Sequence, residues 1–252
     1  MIDEPRSVSL WQEGPSFEES DVEVVARSPQ IEAILDGGSL MCEQLRLLRA
    51  RLQSLRSERP LHCIGMVSAT RGEGKSTISI GLARTLALEA DRRVLLLESD
   101  LRRPALDSYL GLGPCPGLVQ YLDGEDDVVS VRRVLPGNFY LLSAGGDAAA
   151  ARPEVLGTRR MAALIAGARR VFDHIVVDCP PLLPVADSVT LQDHVDGFVF
   201  VVRSRHAPRD AVLRAMSLLK PERLKGLVFN AHEAILPTSD DFAARRYGYS
   251  GS

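Results

Sequence analysis

The chain has 252 residues, 45% hydrophobic and 25% charged, with a net charge of −3. That is enough apolar material for one α/β domain or two small ones, and the near-balanced charge gives no basis for a general affinity for nucleic acid or membrane surfaces. Cys42, Cys63, Cys115 and Cys179 lie far apart without metal-ligand spacing, as in a reduced cytosolic protein. No apolar run reaches the roughly 18 residues of a membrane span, and the acidic start has no signal-peptide pattern.

Residues 1–40 hold nine Asp/Glu and two Arg, a net of −7 against +4 for the remainder. Residues 1–38 read as a mostly disordered acidic leader, with short helical pieces at Val22–Ala26 and Ile31–Leu35. Trp11 and Phe17 are either anchors or chance aromatics. Gly37-Gly38-Ser39 breaks the chain, and a helix follows from Leu40 to Ser57. Met41, Leu45, Leu48, Leu52 and Leu55 form its apolar stripe. Glu43, Arg46 and Arg49 lie beside that stripe, either as a solvated face with ion pairs or as a contact surface for another subunit.

Cys63 to Val67 reads as a buried strand and Ile78 to Leu88 as a helix. Between them stands Ala69-Thr-Arg-Gly-Glu-Gly-Lys-Ser-Thr77. Strand, Gly-rich turn, Lys-Ser-Thr and helix are the context of a phosphate-binding loop. Gly72 and Gly74 let the backbone approach a phosphate. Loop N–H groups from Arg71 to Thr77 and the helix N-terminus supply positive potential. Lys75 suits the β- and γ-phosphates, and the Ser76 hydroxyl suits Mg²⁺. Ala69 stands where the standard pattern has its first glycine.

Val94 to Leu97 reads as a strand ending in Glu98-Ser99-Asp100, two carboxylates at the strand end where ligands of parallel sheets bind. A polar loop capped by Asp100 would look the same. Gly117 to Gly124 reads as a short helix and turn, and Phe139 to Leu142 as a strand. Asp147 to Arg152 reads as a loop, and Pro153 opens a helix with Met161, Leu164 and Ile165 inward. His174 to Val177 is the clearest buried strand. It runs into Asp178-Cys179-Pro180-Pro181, and an acidic residue there is the usual metal partner of a phosphate loop. Gly197–Val202 and Gly226–Phe229 are further strands, around a helix at Arg209–Leu219. Five or six strands alternating with helices indicate an α/β, doubly wound, mostly parallel sheet with helices on both faces. The tail from 239 to 252 has no packed pattern, and it carries Tyr247 and Tyr249.

Taken together, Glu43-x-x-Arg46-x-x-Arg49, the phosphate loop, Leu97-Glu98-Ser99-Asp100-Leu101-Arg102-Arg103-Pro104, Gly117 to Gly124, Val177-Asp178-Cys179-Pro180-Pro181 and the terminal tyrosines resemble the bacterial tyrosine kinases of capsule and exopolysaccharide export. The resemblance runs from about residue 39 to the end. It implies a P-loop kinase domain over 39–238 and a flexible tyrosine-bearing tail over 239–252. It implies an ATP- and Mg²⁺-dependent protein-tyrosine autokinase that regulates polysaccharide polymerisation and export. Lys75 would hold the phosphates, Ser76 and Asp178 the metal, and Glu98 and Asp100 would assist with metal and tyrosine proton. Asn230 falls at an adenine contact. Tyr247 and Tyr249 would be acceptors offered to a neighbouring subunit, and Glu43, Arg46 and Arg49 would serve ring-like self-association. The stand-alone form of the family is cytoplasmic and is drawn to the inner face of the plasma membrane by a polysaccharide co-polymerase, whose cytoplasmic segment activates it. Glu98 replaces the family's Asp, Cys179 its Thr or Ser, and the tyrosine tail is sparse. Thr70 occupies the signature-lysine position of related partitioning ATPases. The alternatives are a nucleotide-switch ATPase of the same fold and an ATP-binding scaffold of an export complex.

Overall fold

The apolar runs form the middle of one sheet. The computed structural model describes residues 14–55, 61–89, 92–146, 153–183 and 187–231. The strands are β1 (Ser16–Val22), β2 (Cys63–Ser68), β3 (Val94–Glu98), β4 (Val128–Val134), β5 (Phe139–Leu142), β6 (His174–Asp178), β7 (Gly197–Arg203) and β8 (Leu224–Asn230). The helices are α1 (Pro29–Asp36), α2 (Leu40–Ser54), α3 (Lys75–Leu86), α4 (Leu106–Leu110), α5 (Leu118–Asp123), α6 (Arg159–Val171), α7 (Asp187–Thr190) and α8 (Arg209–Met216).

The strands lie in the order β1-β4-β5-β3-β6-β2-β7-β8. Every pair from β5 to β8 is parallel, β4 runs antiparallel to β5, and β1 follows β4. Side chains alternate between two cores, as period-2 geometry requires. Leu95, Leu97, Ile175 and Val177 face a core shared with α5, α6 and α8. Leu96, Val176, Ile64 and Met66 face one shared with α1 to α4. Helices on both faces explain why β2, β3 and β6 are apolar almost throughout.

The expected disordered leader does not hold for residues 14–38. Ser16–Val22 pairs with β4 along its whole length. Its acidic side chains meet cations of the body, Glu19 on Arg93 and Asp21 on Arg133. Phe17 packs edge-on against Phe172 with centroids 5.5 Å apart, so this aromatic is an anchor within the chain. The piece at Val22–Ala26 is not helical, because Val22 ends β1. The second piece is α1, opened by the Ser28 cap and Pro29 and closed by Gly37 in the left-handed region at φ 80. Trp11, the 147–152 loop and the tail with Tyr247 and Tyr249 lie outside the described residues.

The described residues form eight strands rather than five or six. The additional ones are β1 and β4, at the edge that breaks the parallel rule. Residue 153 opens a 3₁₀ turn over Pro153–Gly157 rather than a helix, and Thr158 then caps α6 separately. The helix after the phosphate loop starts at Lys75 rather than Ile78.

Candidate functional site

The carboxyl ends of β2, β3 and β6 lie side by side, because β6 sits between β2 and β3. Each end delivers one part of the site: residues 69–77 after β2, Glu98 to Asp100 after β3, and Asp178 at the end of β6. The strand ends are tied together by backbone bonds. Ser99 N–H donates to Asp178 O at 2.9 Å, Cys179 N–H to Met66 O at 3.1 Å and Leu182 N–H to Ser68 O at 2.9 Å.

The loop winds through Gly72 at φ 77 and Gly74 at φ 85, a region that penalises any Cβ. A Cβ on Gly74 would also meet Asn230 Nδ2 at 2.0 Å. The loop is held by its own acid. The Glu73 carboxylate, 1% exposed, accepts from Thr70 N at 2.7 Å, Thr70 Oγ1 at 3.0 Å and Arg203 N at 3.2 Å. Glu73 therefore shapes the loop through its side chain and leaves its backbone N–H as the group available to a phosphate.

Three charged side chains from three elements converge. Lys75 Nζ lies 3.7 Å from Asp178 Oδ1 and 3.9 Å from Asp100 Oδ2. Lys75 and Asp178 are buried. Burial works to lower the Lys75 pKa, but Asp178 and then Asp100 outweigh it and the net shift is upward, so the ammonium stays charged. Burial raises the Asp100 pKa, with Lys75 opposing and Asp178 reinforcing. Ser79, one turn beyond Lys75 on the inner side of α3, has its hydroxyl 3.1 Å from Asp178 Oδ1 and 3.0 Å from Lys75 O. It orients Asp178 and was not singled out from the sequence. Its one signal is a polar residue at i+4 from Lys75 on a buried face.

Glu98 is used differently from its neighbours. It is 2% exposed, and its carboxylate accepts three backbone N–H groups: Ala105, Leu106 at 2.8 Å and Ala144 at 3.2 Å. It clamps the start of α4 and the end of β5 to the end of β3. Burial pushes its pKa up to about 7, although the N–H groups pull the other way. Among the acidic residues of this stretch, the structure brings Asp100 to Lys75 and turns Glu98 onto the backbone.

Ser76 and Thr77 are half-buried at the start of α3, and Arg71 is exposed at the mouth. Asn230, at the end of β8, donates from Nδ2 to Glu73 O at 2.8 Å, so it supports the loop. Two residues at and just after the end of β7 were also missed: Arg203 donates to Gly72 O at 3.1 Å, and His206 Nε2–H to Arg71 O at 2.6 Å. Neither stands in a recognisable motif. Glu43, Arg46 and Arg49 lie on α2. Arg46 pairs with Glu43 and donates to Gly37 O at 2.9 Å. Arg49 donates to Thr85 O at 2.9 Å, at the last turn of α3.

The donor set fits a bound nucleotide with a hard cation. The buried lysine, the left-handed glycines and the helix N-terminus suit phosphate. The Ser76 hydroxyl and the buried Asp178 carboxylate suit Mg²⁺, which keeps most of its shell as water and phosphate oxygen. Among the described residues no group of three or more His, Cys, Asp or Glu forms a metal site by itself, in keeping with that division.

No family model matches the chain. Among known proteins, it is 27% identical over 222 residues to the tyrosine-protein kinase YwqD of Bacillus subtilis, covering 87% of this chain and 90% of that one. It is 35% identical over 148 residues to the succinoglycan biosynthesis transport protein ExoP of Rhizobium meliloti, covering 58% of this chain and 19% of that one. The chain spans about a quarter of the length of the curated relatives it matches first. The solved kinase domain of the Escherichia coli tyrosine kinase ETK superposes with a TM-score of 0.71 at 26% identity, over 79% of each chain. The P-loop α/β sheet and these likenesses make the chain similar to bacterial tyrosine kinases and to their solved kinase domains.

Proposed function

We propose that the protein is a Mg·ATP-dependent protein-tyrosine autokinase acting in capsule or exopolysaccharide production. The observation that carries this reading is the meeting of Lys75, Asp100 and Asp178 beside the phosphate loop, in a chain whose relatives include named tyrosine kinases. Lys75 and the N–H groups of residues 71–77 neutralise charge on the transferring phosphoryl group. Ser76 and Asp178 would hold the cation, and Ser79, bonded to Asp178, would fix the orientation of that carboxylate. Mg²⁺, when bound, adds charge neutralisation at the phosphate oxygens. The acceptor tyrosine has an ordinary pKa of about 10, so a carboxylate must take its proton as the new O–P bond forms. Asp100 takes that part: it is polar-facing, its pKa is raised by burial, and Glu98 is committed to the backbone. Tyr247 and Tyr249 are the acceptors. Replacing both with Phe removes phosphotyrosine from the chain in an anti-phosphotyrosine blot, and persistent signal would redirect the acceptor assignment.

The protein works with a membrane-bound polysaccharide co-polymerase at the inner face of the plasma membrane. What supports this is the ExoP likeness and the finding that no helix among the described residues is long and apolar enough to cross a membrane. Self-association uses α2. Arg46 and Arg49 anchor that helix to Gly37 and to α3, while Glu43 and Arg46 keep 61% and 36% of their side-chain surface exposed. Arg46→Ala combined with Arg49→Ala is expected to shift the protein toward monomer in light scattering. An unchanged mass, at concentrations where the parent assembles, would refute the contact.

A further inference from the structure

Three consecutive carbonyls of the phosphate loop are held by side chains from one place in the fold. Arg71 O accepts from His206 Nε2–H at 2.6 Å, Gly72 O from Arg203 Nη1 at 3.1 Å and Glu73 O from Asn230 Nδ2 at 2.8 Å. The donors stand at the adjoining carboxyl ends of β7 and β8, where Arg203 lies opposite Asn230, and in the turn that follows β7. Backbone bonds close the unit. Arg203 N–H donates to the Glu73 carboxylate at 3.2 Å, and Ser204 N–H to Asn230 O at 2.9 Å.

Uncommon backbone brings these donors to the loop. Arg205 takes φ 56 and Ala231 φ 49, left-handed values that cost energy in residues with a Cβ and that cluster at functional sites. His206 N–H closes the first of these turns on Arg203 O at 3.3 Å. The loop makes room on the same side. A Cβ on Gly72 would meet His206 Cε1 at 3.3 Å, as one on Gly74 would meet Asn230.

A trans peptide points its C=O and the following N–H in opposite directions. Holding the carbonyls of Arg71, Gly72 and Glu73 toward β7 and β8 therefore turns the N–H groups of Gly72, Glu73 and Gly74 to the other side of the loop. Among the described residues, the N–H groups of Gly72 and Gly74 have no acceptor. Successive N–H groups turned to one side make an anion-binding concavity.

We propose that His206, Arg203 and Asn230 are positioning residues that clasp the loop from outside and aim its amides at the phosphates of a nucleotide before the nucleotide binds. This role rests on the nucleotide-binding function proposed for the loop, and it places Asn230 on the loop rather than on adenine. Amides fixed in advance raise affinity, because binding then orders less.

The test is displacement of a fluorescent ADP analogue from the full chain, with Mg²⁺ present, by ADP and by pyrophosphate, which has phosphates but no base or sugar. His206→Leu and Asn230→Ala are each expected to weaken both ligands by the same factor, roughly three- to tenfold, the range of one hydrogen bond. His206→Gln keeps an N–H donor and is expected to recover most of the loss. Arg203 is left in place, because removing its charge would weaken phosphate binding by itself. Melting curves without ligand are expected to match the parent. A loss for ADP alone would overturn the proposal and return the side chain to the nucleoside. So would His206→Gln binding as weakly as His206→Leu, or a parent that pyrophosphate cannot displace. Unchanged affinities in the variants would overturn the clasp and leave the nucleotide reading standing. A parent that binds neither ADP nor pyrophosphate would remove both.

Discussion

Lys75→Met lowers phosphate transfer from Mg·ATP by roughly 10²–10³-fold, the loss that follows removal of one preorganised charge-stabilising donor. Among the described residues Lys75 is the cation that faces both Asp100 and Asp178, at 3.9 and 3.7 Å. Methionine fills a similar volume, so α3 keeps its packing, but two carboxylates then face each other with no charge between them. Asp100 loses the cation that lowers its pKa and becomes easier to protonate, and the cation site weakens along with the phosphate site. The Ser79 hydroxyl still contacts Asp178, which limits the structural damage. The check is a transfer assay with a melting curve on the same preparation. Full activity in the folded variant would sink the assignment of the loop.

Glu98→Ala produces the largest loss of stability. It strands the N–H groups of Ala105, Leu106 and Ala144, and each orphaned buried donor costs about 1–3 kcal/mol. A total of about 3–9 kcal/mol is a large part of the 5–15 kcal/mol typical of a domain. Glu98→Gln is the gentler probe. It keeps an oxygen for Ala105 and Leu106 but sets an NH₂ against the Ala144 N–H. It also removes a titration. The Glu98 pKa rises from an ordinary 4.5 to about 7 on folding, mainly through burial. Between those values the folded state binds more protons than the unfolded one, so this group's contribution falls as pH rises from about 4.5 to about 7. The size is about 3 kcal/mol. Denaturant unfolding at pH 5, 6, 7 and 8 should show that slope in the parent and lack it in Glu98→Gln. Parallel curves would contradict the clamp. Loss of activity in Glu98→Gln, with stability and slope unchanged, would return Glu98 to the metal.

What was legible in the sequence is what is local. The phosphate loop is contiguous, and its strand and helix flank it directly. β2, β3, β6 and β7 are buried on both faces and therefore read as runs. β1 was not legible, because Ser-Phe-Glu-Glu-Ser-Asp-Val is an edge strand that buries little of itself and owes its place to β4 and to Arg93 and Arg133. β4 hides two arginines in its run, and Arg132 is buried because Asp107 and Ser143 receive its guanidinium. Glu98 shows the same limit at the site. An acidic residue at a strand end looks identical whether it serves a metal or a backbone, and its partner Ala144 is 46 residues away. Asn230 and Arg203 support the loop across separations of 157 and 131 residues, where no spacing rule reaches.

The most direct test of the central claim is mass spectrometry of the C-terminal peptide after incubation with Mg·ATP. It is run with and without the cytoplasmic segment of a co-polymerase, with Lys75→Met alongside. Phosphate on Tyr247 or Tyr249, absent from Lys75→Met, is the predicted result. An unmodified peptide under both conditions, with nucleotide bound or hydrolysed, would contradict the autokinase and leave a nucleotide switch or scaffold of the same fold.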